Sequence, residues 1–148
     1  MLLLVASLLP LMEKVTTGRT ASLLSPELDD PTDWRPVFDW TSVINLGGIV
    51  YVGLDALSDY EVAAAVGNSM FADLTSVAGS LYKFGAGRGL PGEVTPRRIA
   101  IHADEFNELI GDEFIPLLNK AGGAGFQVTA YTQTWSDVEA RIGSQAKA

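Results

Sequence analysis

The sequence has no cysteine and only one histidine among its 148 residues. A disulfide framework and a thiolate metal site are therefore excluded, and one histidine is too few for a His-rich metal cluster or a Cys-His dyad. Cations are also scarce, because 10 Lys and Arg stand against 18 Asp and Glu and the formal net charge is −8. This charge argues against a surface that coats nucleic acid on this segment.

A hydrophobic run long enough to cross a bilayer is also missing. Residues 1–12 are apolar, but they reach only about half of the length that a membrane span needs. They lack the basic leading region of a signal peptide. We therefore expect a protein-covered helix over residues 1–16 and no transmembrane segment. With 47% hydrophobic residues, the chain is long enough for one globular domain with a sizeable core.

Three short apolar runs are typical of strands in a parallel sheet. They cover residues 47–55, 99–103 and 126–131, and Gly- or Pro-containing stretches precede them. The Ile-rich run over residues 99–103 predicts a strand that is buried on both faces. The stretch before them, residues 23–36, is rich in Ser, Pro and Asp and predicts an ordered connection. The aromatic residues in and after it are expected to lie at the edge of the core: Trp34, Phe38 and Trp40.

Helices are predicted between and after these strands. Ser58 and Glu61 form a capping-box pattern that opens a long helix over residues 60–84. Its buried stripe is predicted from apolar residues at spacings of three and four: Val62, Val66, Met70, Leu74, Val77 and Leu81. A further helix is expected over residues 114–121, and Ser136 with Asp137 is expected to cap the last one. The order of helix, connection and three strand–helix units predicts an α/β fold with right-handed crossovers.

The strand over residues 99–103 carries the clearest functional signal. Asp104 and Glu105 follow it directly, at the edge where open α/β sheets place their ligands. This is the arrangement of a Walker B strand, whose first acid holds Mg²⁺ and whose second polarises the water that attacks a γ-phosphate. A plainer interpretation is that the acids only mark where the chain leaves the core, or that Asp104 caps the next helix.

Four tracts together resemble the TraD/TraG-type conjugative coupling proteins, which are similar to the FtsK/HerA motor ATPases. The tracts are residues 48–59, 62–83, 99–107 and 126–133, so the likeness runs over nearly the whole chain. It implies a partial RecA-like three-layer sandwich with a mostly parallel sheet, preceded by an N-terminal helix. Residues 1–40 would then end an inserted all-α region, and residues 41–148 would form the Walker B half of the motor domain.

The resemblance also implies roles for individual residues. Asp104 takes the Walker B metal role, Glu105 the water-activating role, and Gln133 the place of a polar residue that senses the γ-phosphate. ATP and Mg²⁺ are the implied cofactors, with Asp104, Glu105 and Gln133 as their ligands. Lys120 lies near where related motors place a cation that reaches a neighbouring subunit's nucleotide, although a lysine is favoured near a helix C-terminus anyway.

The complete protein is implied to be a homo-hexamer at the cytoplasmic face of the bacterial inner membrane, held there by a part outside this chain. Its implied partners are single- or double-stranded DNA, a relaxase and type IV secretion components. No Gly-x-x-x-x-Gly-Lys-Ser/Thr motif occurs in the sequence, so the main phosphate cradle is absent. We therefore predict that this chain alone does not hydrolyse ATP.

Two alternatives remain open at this point. The first is a non-catalytic docking remnant that associates with full-length subunits. The second is an unrelated Mg²⁺-dependent α/β phosphohydrolase, which would use Asp55 with Asp104 and Glu105. It needs an acidic pocket built across two neighbouring strand ends and Mg²⁺ binding without nucleotide.

Overall fold

The computed structural model describes residues 2–24, 27, 29–85, 98–109 and 114–143. Over these residues the chain is mixed helix and strand. The helices, in chain order, are α1 (Leu2–Thr16), α2 (Gly18–Leu24), α3 (Trp40–Leu46), α4 (Tyr60–Phe84), α5 (Phe106–Leu109), α6 (Phe114–Lys120) and α7 (Trp135–Ile142). The strands are β1 (Ile99–Ala103) and β2 (Phe126–Ala130), and a 3₁₀ turn at Ala121–Ala124 leads into β2.

The two strands form a parallel sheet in which Ile99 pairs with Phe126 and Ala103 with Ala130. This confirms an α/β fold with a parallel sheet, but the described residues form two strands, and a full RecA-like sandwich is not seen. The sheet is also buried on one face only, because His102 and Ala100 of β1 are exposed. The prediction that β1 is buried on both faces is therefore wrong.

The core lies on the other face of this sheet. Buried side chains from α4, β1, α5, α6, the 3₁₀ turn, β2 and α7 form one cluster: Leu74, Ala78, Ala103, Phe106, Leu117, Ala121, Phe126 and Val138. Because side chains alternate along a strand, the inward residues Ile99, Ile101 and Val128 join the same cluster. Both α4 and α6 therefore pack on one face, and Leu117 at its centre is fully buried.

The long helix α4 has the predicted bounds, Tyr60–Phe84. Its N-cap differs from the prediction: the Asp59 side chain accepts the backbone N–H of Val62, whereas Ser58 lies in the preceding turn. Its buried residues are Ala63, Gly67, Leu74 and Ala78, so Leu74 alone of the predicted stripe is buried. Small residues are buried here because they let neighbouring elements approach the helix closely, which leaves the larger apolar residues half-buried or at the margin.

Residues 47–55 do not form the predicted first strand. Within the described part of the chain, backbone pairing between strands is confined to β1 and β2. Ile49 is 99% exposed and Tyr51 is 93% exposed, whereas Val50 and Leu54 are partly buried. Val52 is also exposed, at 41%, so the burial does not alternate along the stretch, and no neighbouring strand of the described residues supplies its backbone partners.

Helix α1 confirms the helical expectation over Leu2–Thr16, but the expectation that protein covers this helix is wrong over its described side chains, because Leu8, Leu9 and Met12 are exposed. Lys14 at the end of α1 donates to Glu61 at 2.6 Å and lies 3.5 Å from Asp59, which attaches α1 to the start of α4. Trp40 packs against the core as predicted, but Trp34 is 89% exposed and does not fix the connection to the core. No helix in the described ranges has the length and apolar character to cross a membrane.

Candidate functional site

Asp104 and Glu105 lie at the carboxyl end of β1, as the sequence predicts, and both are exposed. The residues on either side of them, Ala103 and Phe106, are buried in the core. The two acids therefore occupy a short surface loop whose ends are both fixed. Asp104 Oδ1 accepts the backbone N–H of Glu105 at 3.0 Å, and the Glu105 carbonyl accepts the N–H of Glu108 at 2.8 Å, which starts α5.

The backbone of Glu105 is in the left-handed region, with φ of 46°. Among the described residues it is the only non-glycine with a positive φ. A side chain in this region costs about 1–2 kcal/mol, which glycine would avoid. The second acid of the pair is thus held in an unfavourable backbone conformation, and such residues cluster at functional sites.

The carboxyl end of β2 lies directly beside this loop. The Tyr131 N–H donates to the Ala103 carbonyl at 2.8 Å, and the Phe106 N–H donates to the Tyr131 carbonyl at 2.9 Å. These two bonds bracket the loop that carries Asp104 and Glu105. Because Gln133 follows Tyr131 by two residues, the three predicted site residues come to the same edge of the sheet, and Gln133 is exposed there.

A side-chain contact joins the two strand ends a second time. The Thr132 hydroxyl lies 3.1 Å from Asn107 Oδ1 and 3.2 Å from the Thr134 carbonyl. Thr134 in turn caps α7, because its hydroxyl accepts the Asp137 N–H at 3.3 Å. The predicted cap at Ser136 is therefore wrong. Gln133 lies between two hydrogen-bonded threonines, so its backbone is held on both sides.

Sequence reasoning missed Asn107, Thr132 and Thr134. Asn107 and Thr132 are separated by 25 residues in the chain, and no local pattern links them. Thr134 could have been found, because a threonine followed three residues later by an acid is a common helix start. Tyr131 was predicted only as a strand end, yet its hydroxyl lies 3.3 Å from His102 Nδ1 and their rings stack at 6.3 Å.

Besides the two acids and Gln133, chemically active side chains contribute little to this edge in the described part of the chain. His102 lies on the exposed face of β1 and contacts Tyr131, in accordance with an ordinary hydrogen-bonded histidine. Lys120 is the last residue of α6. Arg97 and Asp112 lie outside the described residues, as does most of the glycine-rich loop over residues 85–92.

The donors that the predicted site residues bring to this edge are the carboxylates of Asp104 and Glu105 and the amide of Gln133. No group of three or more His, Cys, Asp or Glu side chains in the described part of the chain is arranged to hold a metal ion. Mg²⁺ in nucleotide sites is held by one or two carboxylates, by water and by the substrate phosphates, without an all-protein cage. A single exposed carboxylate such as Asp104 fits that mode of binding.

Comparison of the chain with protein-family models, with curated proteins and with solved structures finds no match.

Proposed function

We propose that this chain is the Walker B and sensor part of an ATP-dependent motor of the conjugative coupling type, which delivers DNA to a type IV secretion channel. One observation carries the proposal. Asp104 and Glu105 lie at the carboxyl end of β1, hydrogen-bonded beside the end of the neighbouring parallel strand that leads to Gln133. This is the edge at which open parallel sheets bind ligands.

The three residues would divide the work by their chemistry. Asp104 would hold the Mg²⁺ of a bound nucleotide through its carboxylate, directly or through water. Glu105 would accept a hydrogen bond from the attacking water and orient it toward the γ-phosphate. Gln133 carries both a donor and an acceptor, so its amide can contact the phosphate and the water together. Mg²⁺ itself would neutralise charge on the phosphates.

The conformation of Glu105 supports a role beyond a surface loop. A plain exit from the core favours glycine or asparagine at a positive φ, but this position carries a long acidic side chain. A strained, exposed acid next to a buried strand end is the pattern expected of a positioned catalytic group.

The whole protein would supply what this chain does not. A Walker A loop on another part would cradle the phosphates, and added strands would complete a RecA-like three-layer sandwich on the open sheet. We place the complete protein at the cytoplasmic face of the inner membrane as a homo-hexamer that works with DNA, a relaxase and secretion components. With a net charge of −8, the DNA contacts would come from other parts of the motor.

The test measures ATP hydrolysis in the presence of Mg²⁺ and single-stranded DNA. The chain is assayed alone and mixed with the Walker A half of a conjugative coupling protein. We expect turnover only in the mixture, and we expect both Glu105→Gln and Asp104→Asn to abolish it. Matched controls are Glu13→Gln on α1 and Asp73→Asn on α4, two exposed acids far along the chain from β1, which should leave turnover unchanged.

The outcomes separate the proposed enzyme part from a docking remnant. Turnover by the chain alone would contradict the need for a separate phosphate cradle. A stable complex without turnover, seen by analytical ultracentrifugation, would identify a subunit that docks but does not catalyse. If the two parts neither associate nor hydrolyse ATP, the relation to coupling proteins is wrong.

A further inference from the structure

The hydroxyl of Thr132 lies between two acceptors just after the end of β2. It is 3.1 Å from Asn107 Oδ1 and 3.2 Å from the Thr134 carbonyl. A threonine hydroxyl carries a single proton, so it donates to one of these acceptors at a time or divides its bond between them. The bond to Asn107 joins the end of β2 to the turn that follows β1. The bond to Thr134 joins it to the start of α7.

The Asn107 amide is oriented so that its oxygen faces Thr132. Its Nδ2 donates to Glu108 Oε1 at 3.1 Å. An ionised carboxylate only accepts hydrogen bonds, so the amide nitrogen has to face Glu108 and Oδ1 is left for Thr132. Asn107 is partly buried and lies inside the turn that the Glu108 N–H closes on the Glu105 carbonyl. The Thr132 hydroxyl therefore bonds to the turn that carries the acid loop, residues 104–105.

The second acceptor belongs to a residue that is itself fixed. The Thr134 hydroxyl accepts the Asp137 N–H at 3.3 Å and donates to the Asp137 carboxylate at 2.8 Å, which holds Thr134 at the N-terminus of α7. Gln133 lies between this fixed residue and Thr132. The position of Gln133 relative to the acid loop thus depends on which acceptor the Thr132 hydroxyl uses.

We propose that Thr132 is a positioning residue for Gln133, and that its hydroxyl couples Gln133 to the acid loop through Asn107. This role rests on the proposed function, in which Gln133 and Glu105 have to reach the same water. When the hydroxyl donates to Asn107, the end of β2 is tied to the acid loop. When it donates to the Thr134 carbonyl, Gln133 is held in its own turn and is released from that loop.

Two variants of the chain alone separate the two bonds without any need for turnover. Thr132→Val keeps the branched shape of the side chain and removes the hydroxyl, so both bonds are lost. Asn107→Leu removes only the acceptor beside the acid loop. We expect the backbone order parameter of Gln133, measured by nitrogen-15 relaxation, to fall from about 0.85 toward about 0.6 in Thr132→Val. It should stay high in Asn107→Leu, because the bond to the Thr134 carbonyl remains.

The matched controls keep or spare this hydroxyl. Thr132→Ser retains the donor and should retain the order parameter of the natural chain. Ser136→Ala removes a hydroxyl from the first turn of α7 and should also leave Gln133 unchanged. A low order parameter in the natural chain, or a high one in Thr132→Val, would overturn the proposal. An equal fall in Ser136→Ala would mean that the whole turn has loosened, and would overturn it too.

A further variant tests the connection to the acid loop. Glu105→Gly replaces the residue with the positive φ and keeps both acceptors of the Thr132 hydroxyl. Coupling predicts a change in the amide chemical shift of Gln133 that is at least about halved when Asn107→Leu is present in the same chain. The backbone bonds that bracket the loop are present in every variant and account for the rest. A change of equal size in both backgrounds would overturn the coupling.

Turnover in the mixture with the Walker A half tests what the coupling does for catalysis. We expect Thr132→Val and Asn107→Leu each to lower kcat about three- to tenfold, the size expected for one net hydrogen bond, with KM for ATP nearly unchanged. Thr132→Ser should keep the natural kcat. An unchanged kcat in both variants, or a raised KM alone, would overturn the positioning role and leave the proposed function in place.

Failure of the proposed function has a different signature. It would appear as absence of turnover in the mixture that contains the natural chain. The order parameters and chemical shifts of the chain alone would then still decide whether Thr132 holds Gln133 and ties it to the acid loop.

Discussion

The packed part of the molecule and the stretch over residues 46–57 contain similar apolar residues in opposite surroundings. In the packed part, Leu117 is fully buried between α4, the sheet and α7. In the stretch, Leu46 is 82% exposed and Leu57 is completely exposed. Composition does not separate the two regions. The packed part contributes side chains to one common cluster, whereas the apolar residues of the stretch are largely exposed.

This difference bears on the candidate site. Asp104 and Glu105 belong to the packed part, and buried residues fix both ends of their loop. Asp55 follows the stretch and is held by its own turn, where Ser58 donates to its carboxylate. Asp55, Asp104 and Glu105 all follow strand-like runs in the sequence, but different contacts hold them in place. The structure brings two of them, Asp104 and Glu105, to the edge of the sheet where Gln133 lies.

The largest effect is expected at the centre of the core. Leu117→Ala should lower the free energy of unfolding by about 2–5 kcal/mol, because it removes buried contacts and leaves a cavity. The matched control in the stretch is Leu57→Ala, which should change it by no more than about 0.5 kcal/mol. Urea unfolding followed by circular dichroism measures both. Equal losses of unfolding free energy would show that the stretch is packed in solution, and the contrast between the two regions would then be wrong.

The second-largest effect on stability is expected at Asp59, where the two regions meet. Asp59→Ala removes the N-cap of α4 and should cost about 1 kcal/mol, the usual value for loss of a capping side chain. Asp73→Ala, in the exposed middle of the same helix, is the control and should be nearly neutral. Thermal unfolding monitored by far-ultraviolet circular dichroism compares them. If Asp73→Ala cost as much as Asp59→Ala, the loss would come from helix charge and not from the cap.

A smaller effect of opposite sign is expected in the site loop. Glu105→Gly should raise the free energy of unfolding, by up to about 1 kcal/mol, because glycine accepts the positive φ without strain. Glu105→Gln keeps the strained backbone and should leave stability unchanged. Chemical denaturation distinguishes them. A loss of stability in the glycine variant would show that the Glu105 side chain makes contacts that outweigh its strain.

The smallest effect concerns the turn that ends the stretch. The Ser58 hydroxyl and N–H donate to Asp55, which holds the pKa of the Asp55 carboxyl below its usual value of 3.8. The lowered pKa means that the bonds stabilise the turn above pH 3.8 and that this contribution is lost as the pH falls through the lowered value. Ser58→Ala should raise the pKa of Asp55 toward 3.8 in a carboxyl-carbon NMR titration.

The control for this titration is Ser58→Thr, which keeps a hydroxyl donor and should keep the pKa of Asp55 low. The same titration reports on Asp39, whose pKa is lowered by the Ser42 side chain at the N-terminus of α3. Asp39 should titrate alike in all three proteins. A shift at Asp39 would mean that the substitution disturbs more than the turn.

Much of the packed part could be predicted from local patterns. The apolar periodicity of α4 predicts its bounds, and the short Ile-rich and Val-containing runs predict β1 and β2. The position of Asp104 and Glu105 at the end of β1 follows from the sequence alone. The contact between Asn107 and Thr132 could not be predicted from the sequence, because these two residues come close together only after the two strands pair.

The sequence by itself determined the helices α1, α4, α6 and α7, the direction of the sheet and the edge at which the acids lie. A helix satisfies its backbone hydrogen bonds within one segment, so its pattern is sufficient to specify it. A strand needs the backbone of a neighbour, and only the tertiary structure decides whether that neighbour is in place. Residues 126–130 find β1 and form a strand, whereas residues 49–54 have an equally strong pattern and remain unpaired in the structure.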